Sequence, residues 1–192
     1  VTTPDSSTGG YLRPDPAGPA PLEGQGLNDF IQAWIVGITG LDGTLVLPAF
    51  QGEPPNLPLA STAWAAFNIT SYPTDDFPEI VHDPDANGGL GQDTYYGNEQ
   101  ADVLVSFYDI GTNGAAASNA KLLRAGAAIS QNLEPLQLAG FSLLRIGTPQ
   151  PAPTLVKQRW QYRVDLPITL ARRTVRAYLV RNVLSADFTP VT

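Results

Sequence analysis

The chain has 192 residues, 43% of them hydrophobic, enough for one buried core, and it holds no cysteine, which excludes disulfides and thiolate metal sites. Residues 1–150 carry 16 acidic and 4 basic side chains, net −12, whereas residues 151–192 carry 2 and 7, net +5, giving −7 for the chain. An acidic body argues against tight binding to nucleic acid, and without an apolar run near ~20 residues no membrane-spanning helix is expected.

Residues 1–26 are rich in Pro, Gly, Ser and Thr and read as an extended N-terminal arm ahead of a single domain over 27–192. So little apolar surface does not offset the ordering entropy, and the arm is expected to be mobile in the isolated subunit. Its contact-capable cluster is Tyr11, Leu12 and Arg13, assigned to docking on a partner. Leu27, Phe30, Ile31, Trp34, Ile35 and Ile38 recur at helical spacing and predict a helix over 27–38. Asn28 or Asp29 would cap it and Gly40 would end it. A short strand begins at Leu45, Val46 and Leu47, and Pro54, Pro55 and Pro58 make 51–61 an extended loop.

Trp64 to Thr70 reads as a strand, Ile80 to His82 as a shorter one, and 83–98 as a glycine-rich loop. Asp102 to Tyr108 is apolar on both faces, which predicts a central strand. A second, longer helix is expected from Asn113 to Leu133, with Leu122, Ile129 and Leu133 on its heavy side and Ala115, Ala125 and Gly126 allowing close packing. Phe141 to Ile146 returns as a strand. Trp160, Tyr162, Val164, Leu166, Ile168 and Leu170 then alternate with polar residues at period two. Ala171 to Arg173 reads as a turn, followed by a return strand through Val175, Ala177 and Leu179, and Pro167 is expected at an edge or bulge. The predicted class is α+β: a mostly antiparallel sheet, two principal helices and a long C-terminal β-hairpin. Trp34, Trp64 and Trp160 fall at apolar positions and are assigned to the core.

No constellation of catalytic residues emerges. A Ser–His–Asp triad would have to use His82, the single histidine, and no G-x-S-x-G elbow accompanies it. His82 is therefore read as an ordinary strand-end residue. Asp83-Pro84-Asp85-Ala86-Asn87-Gly88 opens like a calcium loop, but Thr94 stands where the bidentate Glu belongs, so a solvated turn without metal is expected. Gly24-Gln25-Gly26 lacks both the preceding strand and the third glycine of a dinucleotide fingerprint. No catalytic, cofactor or metal residue is assigned, and the chain is not read as an enzyme. Arg163, Arg172, Arg173, Arg176 and Arg181 are expected to meet carboxylates of a neighbouring copy at a head-to-tail interface.

A series of segments carries a resemblance. Gln51-Gly52-Glu53-Pro54-Pro55-Asn56 precedes Thr62-Ala63-Trp64-Ala65-Ala66-Phe67. Val105-Ser106-Phe107-Tyr108 leads into a helix with Asn119-Ala120, Leu122-Leu123-Arg124 and Gln131-Asn132. Leu155-Val156-Lys157-Gln158-Arg159-Trp160 is followed by Arg172-Arg173, Arg176, Tyr178 and Val180-Arg181-Asn182. Their order over 27–186 resembles the phage neck terminator, or tail terminator, family. The resemblance implies a hexameric ring that stops growth of the tail tube and joins the tail to the head, placed in the virion neck after assembly in the host cytoplasm. Implied partners are further copies of the chain, the tail tube protein and the head connector or stopper protein, with the sheath protein as a further candidate. Genome DNA would pass through without tight binding, and no membrane is involved. The long arm and the acidic loop at 83–98 depart from the family pattern. The alternative from a different class is a monomeric ligand- or carbohydrate-binding module of a phage particle.

Overall fold

A computed structural model describes residues 5–7, 10–49, 62–109, 114–156 and 159–182. Among these lie α1 (Gly24–Thr39), β1 (Val46–Pro48), β2 (Trp64–Ser71), β3 (Glu79–Asp83), the short α2 (Ala86–Gly89) and β4 (Gln92–Asp109). After them come α3 (Ala115–Gly126), α4 (Ser130–Leu138), β5 (Phe141–Ile146), β6 (Gln150–Pro151), β7 (Thr154–Val156) and β8 (Arg159–Tyr178). The class is α+β. The sheet runs β1-β2-β4-β8-β5, with β3 on β4 and β6 and β7 on β8. It is mostly antiparallel, β1 and β2 being the parallel pair. The chain forms two compact units: a larger one from Leu22–Thr74 and Glu99–Arg172, and a smaller one from Val1–Pro21, Asp75–Asn98 and Arg173–Thr192.

The larger unit holds the main core. In α1 the stripe of Leu27, Ile31, Trp34 and Ile35 is buried, and Phe30 and Ile38 pack against the same cluster. The helix begins at Gly24, ahead of its first apolar residue, and Glu23 rather than Asn28 or Asp29 stands at its N-cap, without a side-chain cap bond. Gly40 ends it in the left-handed region at φ 70°, its N–H donating to the Val36 carbonyl. Strand β4 lies between β2 and β8, the central position that its two apolar faces predict. Val103, Val105 and Phe107 are buried along it, and Tyr108 stacks on Trp64 of β2 with ring centroids 4.1 Å apart.

Two expectations fail in this unit. The single helix over 113–133 is broken into α3 and α4, with Ile129 extended between them at φ −87° and ψ 124°. The buried stripe of α3 is not Leu122 and Ile129, which are exposed, but Ala116, Ala120 and Leu123, continued by Ala127. Small side chains let this helix approach α1 closely: a Cβ added at Gly126 would lie 2.3 Å from Ile38 Cγ2. The C-terminal hairpin is present, but its arms are β7 and β8, with Leu155 opposite Trp160. The chain does not turn at Ala171–Arg173, and β8 runs unbroken from Arg159 to Tyr178. Val164, Leu166, Ile168 and Leu170 are buried as the alternation requires, and Arg172 takes the next inward position. Pro167 falls between the stretch of β8 paired with β5, ending at Ile168, and the stretch paired with β6, beginning at Asp165. Its carbonyl accepts from Gly147 N at 2.8 Å.

In the smaller unit β3 pairs antiparallel with the first part of β4, from Glu79 opposite Tyr96 to Asp83 opposite Gln92. Residues 92–98, expected as loop, are therefore strand. Thr94, Tyr95 and Tyr96 favour a pleated surface, Gly88, Gly89 and Gly91 belong to the turn, and Gly97 lies within the strand. The described residues of the N-terminal segment, with turns at 6–7 and 16–17, are bonded to a later part of their own chain. Ser6 N donates to Leu179 O at 3.0 Å and Asp15 N to Ala177 O at 2.8 Å. The mobile arm expected of the isolated subunit thus has bonded anchors at both of these points.

Candidate functional site

Arg163, Arg172, Arg173 and Arg181, all assigned to an interface, have carboxylate partners within the chain. In the larger unit Arg163 holds Asp165 through two bonds of 2.7 and 2.6 Å, and Ser106 Oγ donates to the same carboxylate at 2.7 Å. Burial works to raise the Asp165 pKa, but these partners hold it below the usual value. Arg172 is 8% exposed and donates from Nε and Nη2 to Glu99 at 3.1 and 2.9 Å. Its Nη1 donates to the Leu22 carbonyl, and the guanidinium lies 5.2 Å from the Phe141 ring centroid. In the smaller unit exposed Arg173 bonds Glu79 at 3.1 Å over the Tyr96 ring, and Arg181 pairs with Asp5 at 2.6 Å. Asp5 is held at about 2 by its bonds from Ser7 and Arg181. Arg176, also on β8, is half-buried.

His82 ties three segments of the smaller unit. Its Nδ1 meets Asp93 Oδ1 at 2.6 Å and its Nε2 meets Asn182 Oδ1 at 2.9 Å. The Asn182 amide nitrogen donates to the Pro84 and Gly89 carbonyls, which fixes its oxygen toward the ring. Both ring nitrogens therefore face acceptors, an arrangement that favours the doubly protonated ring. The Asp93 bond, then the Asn182 bond, raise the His82 pKa against a desolvation penalty, and the charges of Asp93 and Asp83 add to the rise. A raised folded pKa stabilises the folded state fully below the unfolded value, near 6.5, and the contribution fades as pH climbs through the folded value. Since this is the only histidine, its ring signals in an NMR titration report the site cleanly. The expected midpoint lies above 6.5, and Asp93→Asn lowers it. A parent midpoint at or below 6.5 contradicts the doubly donating ring. Gly91 permits this junction: it sits at φ 92°, and a Cβ there would lie 2.6 Å from Asn182 Oδ1.

No three His, Cys, Asp or Glu side chains among the described residues gather into a metal-binding group. The calcium-like segment closes instead as the turn between β3 and β4, with Asn87 in the left-handed region at φ 55°. Hollows are present within each unit. One of about 430 Å³ lies between α1 and α4 beside Phe30, Trp34, Ile38 and Pro135. Another of about 260 Å³ is lined by Asp75, Phe77, Glu79, Tyr96, Asn98 and Arg173.

The surfaces are less polar than the composition suggests. Trp160 was assigned to the core but is 69% exposed, and its cross-strand neighbour Leu155 is 58% exposed. Tyr162 continues the patch on the same face of β8. The alternation of β8 is correct there, but burial begins only at Val164. On the smaller unit every residue of β3 is exposed, including Ile80 and Val81, and Phe77 stands open just before it. Sequence periodicity missed these surfaces, because it gives the face of a strand and not what covers it.

An α+β domain whose ionic groups serve internal pairs, and whose hairpins expose aromatic and aliphatic side chains, has the make-up of an assembly component. The chain belongs to the phage neck terminator protein family, whose sequence model matches residues 25–192. Comparison with curated proteins found no match. The family is structural, and the protein is accordingly a structural component of the phage neck. No helix among the described residues is long and apolar enough to cross a membrane.

Proposed function

We propose that the chain forms a hexameric ring at the top of the tail tube, ends tube growth there and joins the tail to the head connector or stopper protein. The family match over 25–192 carries this reading. The net charge of −7 suits a ring whose channel lets DNA slide without holding it. Arg163, Arg173, Arg176 and Arg181 are partly or fully solvent-facing and are proposed to add contacts to a neighbour beside those within the chain. Arg172 is enclosed by its own partners, so its part in assembly is to hold the subunit's shape. Tyr11 and Arg13 are exposed and, with half-buried Leu12, form the proposed partner-docking cluster of the arm.

Light scattering after size exclusion, with and without purified tail tubes, tests the assembly. Multi-copy particles, or density capping the tube ends in micrographs, are the expected result. A chain that stays monomeric and leaves the tube ends bare overturns the reading.

A further inference from the structure

Two exposed strands of opposite charge have open edges. Strand β3 pairs only with β4 among the described strands, and its far edge has no strand partner among the described residues. Residues 75–98 around it carry six acidic side chains and no Lys or Arg. Exposed Phe77, Ile80 and Val81 lie among these charges. Strand β7 likewise pairs only with β8, and this hairpin bears Leu155, Trp160 and Tyr162 on its surface. Residues 151–163 contain three basic side chains and no acidic one. Each surface is thus a strand edge without a described strand partner, bearing apolar side chains and a net charge: negative around β3, where Arg173 and His82 offset part of it, and positive on the hairpin, where Arg163 is paired with Asp165.

We infer that the acidic β3 edge of one copy receives the basic β7–β8 hairpin of the next copy, with Ile80 packing on Leu155, Trp160 and Tyr162. This inference rests on the ring reading and names the surfaces that close it. The occupant is a second copy because the chain itself carries both halves of a complementary pair. Opposite charges favour the encounter and register, and an added strand satisfies backbone groups on both sides. Exposed tryptophan and tyrosine are side chains that anchor interfaces once desolvated. The two surfaces differ, so the contact is heterologous, the type that builds a ring when its rotation closes.

The absence of native cysteine makes thiol cross-linking clean. The full-length double variant Val81→Cys, Thr154→Cys, at the residues next to Ile80 and Leu155 on the opposite strand faces, is assembled with tail tubes and treated with a short bismaleimide. Both positions are exposed, so melting close to the parent is the fold control. Denaturing gels are expected to show a ladder extending beyond the dimer. Either single variant alone gives no ladder, and mixing the two single variants gives dimers. Rings that assemble normally but yield no ladder overturn the inference while leaving the ring intact, and they place the Trp160 patch against a different neck or tail protein. Failure of the parent protein to form multi-copy assemblies, alone or on tubes, removes the ring reading and the inference with it.

Discussion

Replacing Arg172 with Ala is expected to destabilise the protein by about 3–5 kcal/mol, the range for breaking a buried ion pair by removing one partner. The side chain is almost enclosed, and its guanidinium meets Glu99 twice and the Leu22 carbonyl once. Truncation leaves the Glu99 carboxylate, itself only 13% exposed, without its counter-charge, and opens a space over the face of the Phe141 ring. Arg172→Lys keeps the charge but cannot reproduce the two-nitrogen contact, so it is expected to fall between parent and Ala. Combining Arg172→Met with Glu99→Gln removes the uncompensated charge and is expected to recover part of the loss. Urea unfolding of the four proteins checks the series. A loss under about 1 kcal/mol for Arg172→Ala is what an exposed surface pair gives, and it contradicts a buried role.

The second large effect is expected at Gly126. Helix propensity alone favours Ala over Gly by about 1 kcal/mol. Here the added Cβ meets Ile38 Cγ2 at 2.3 Å, and a β-branched side chain in a helix has little rotamer freedom to withdraw. Overpacking of this kind costs about 1–3 kcal/mol, so Gly126→Ala is expected to destabilise in spite of its propensity. Ile38→Ala removes the obstructing methyl but opens a space of its own. The double variant should therefore lose less than the sum of the single losses, by an interaction of about 1–3 kcal/mol. Additive losses in thermal unfolding mean that the two helices do not press on each other at this point.

What the sequence made legible was governed by local periodicity. The stripe of α1 and the alternation from Val164 to Leu170 are each set by side chains within one element, and both lie where they were expected. Arg172 shows where such a reading ends. It is a charged residue at an inward position, so a local reading ends the alternation there and places a turn. Its buried counter-charge is Glu99, which lies 73 residues away in sequence and cannot be found from local pattern. The stripe of α3 was missed for a related reason. Weighting the large residues Leu122 and Ile129 selected the wrong face, because the close approach of α1 favours alanine and glycine on the buried one. At the candidate site the arginines were visible as a charge block, but their pairing was not. Trp160 was visible as apolar, but its exposure depends on where the core ends.

The composition of the smaller unit from three separated stretches of chain bears on the order in which the molecule is made. Its N-terminal residues find their partners only at the far end of the chain, the Asp5–Arg181 pair joining positions 176 apart. During synthesis the larger unit has all of its segments once residue 172 has emerged, whereas the smaller one must wait for residues beyond it. The first stretch and the β3–β4 hairpin consequently spend most of translation without the strand end on which they lie. Contacts of such long sequence separation close slowly. A nascent or truncated chain therefore lacks the finished acidic hairpin, and the maturation of that surface is timed to the completion of the polypeptide.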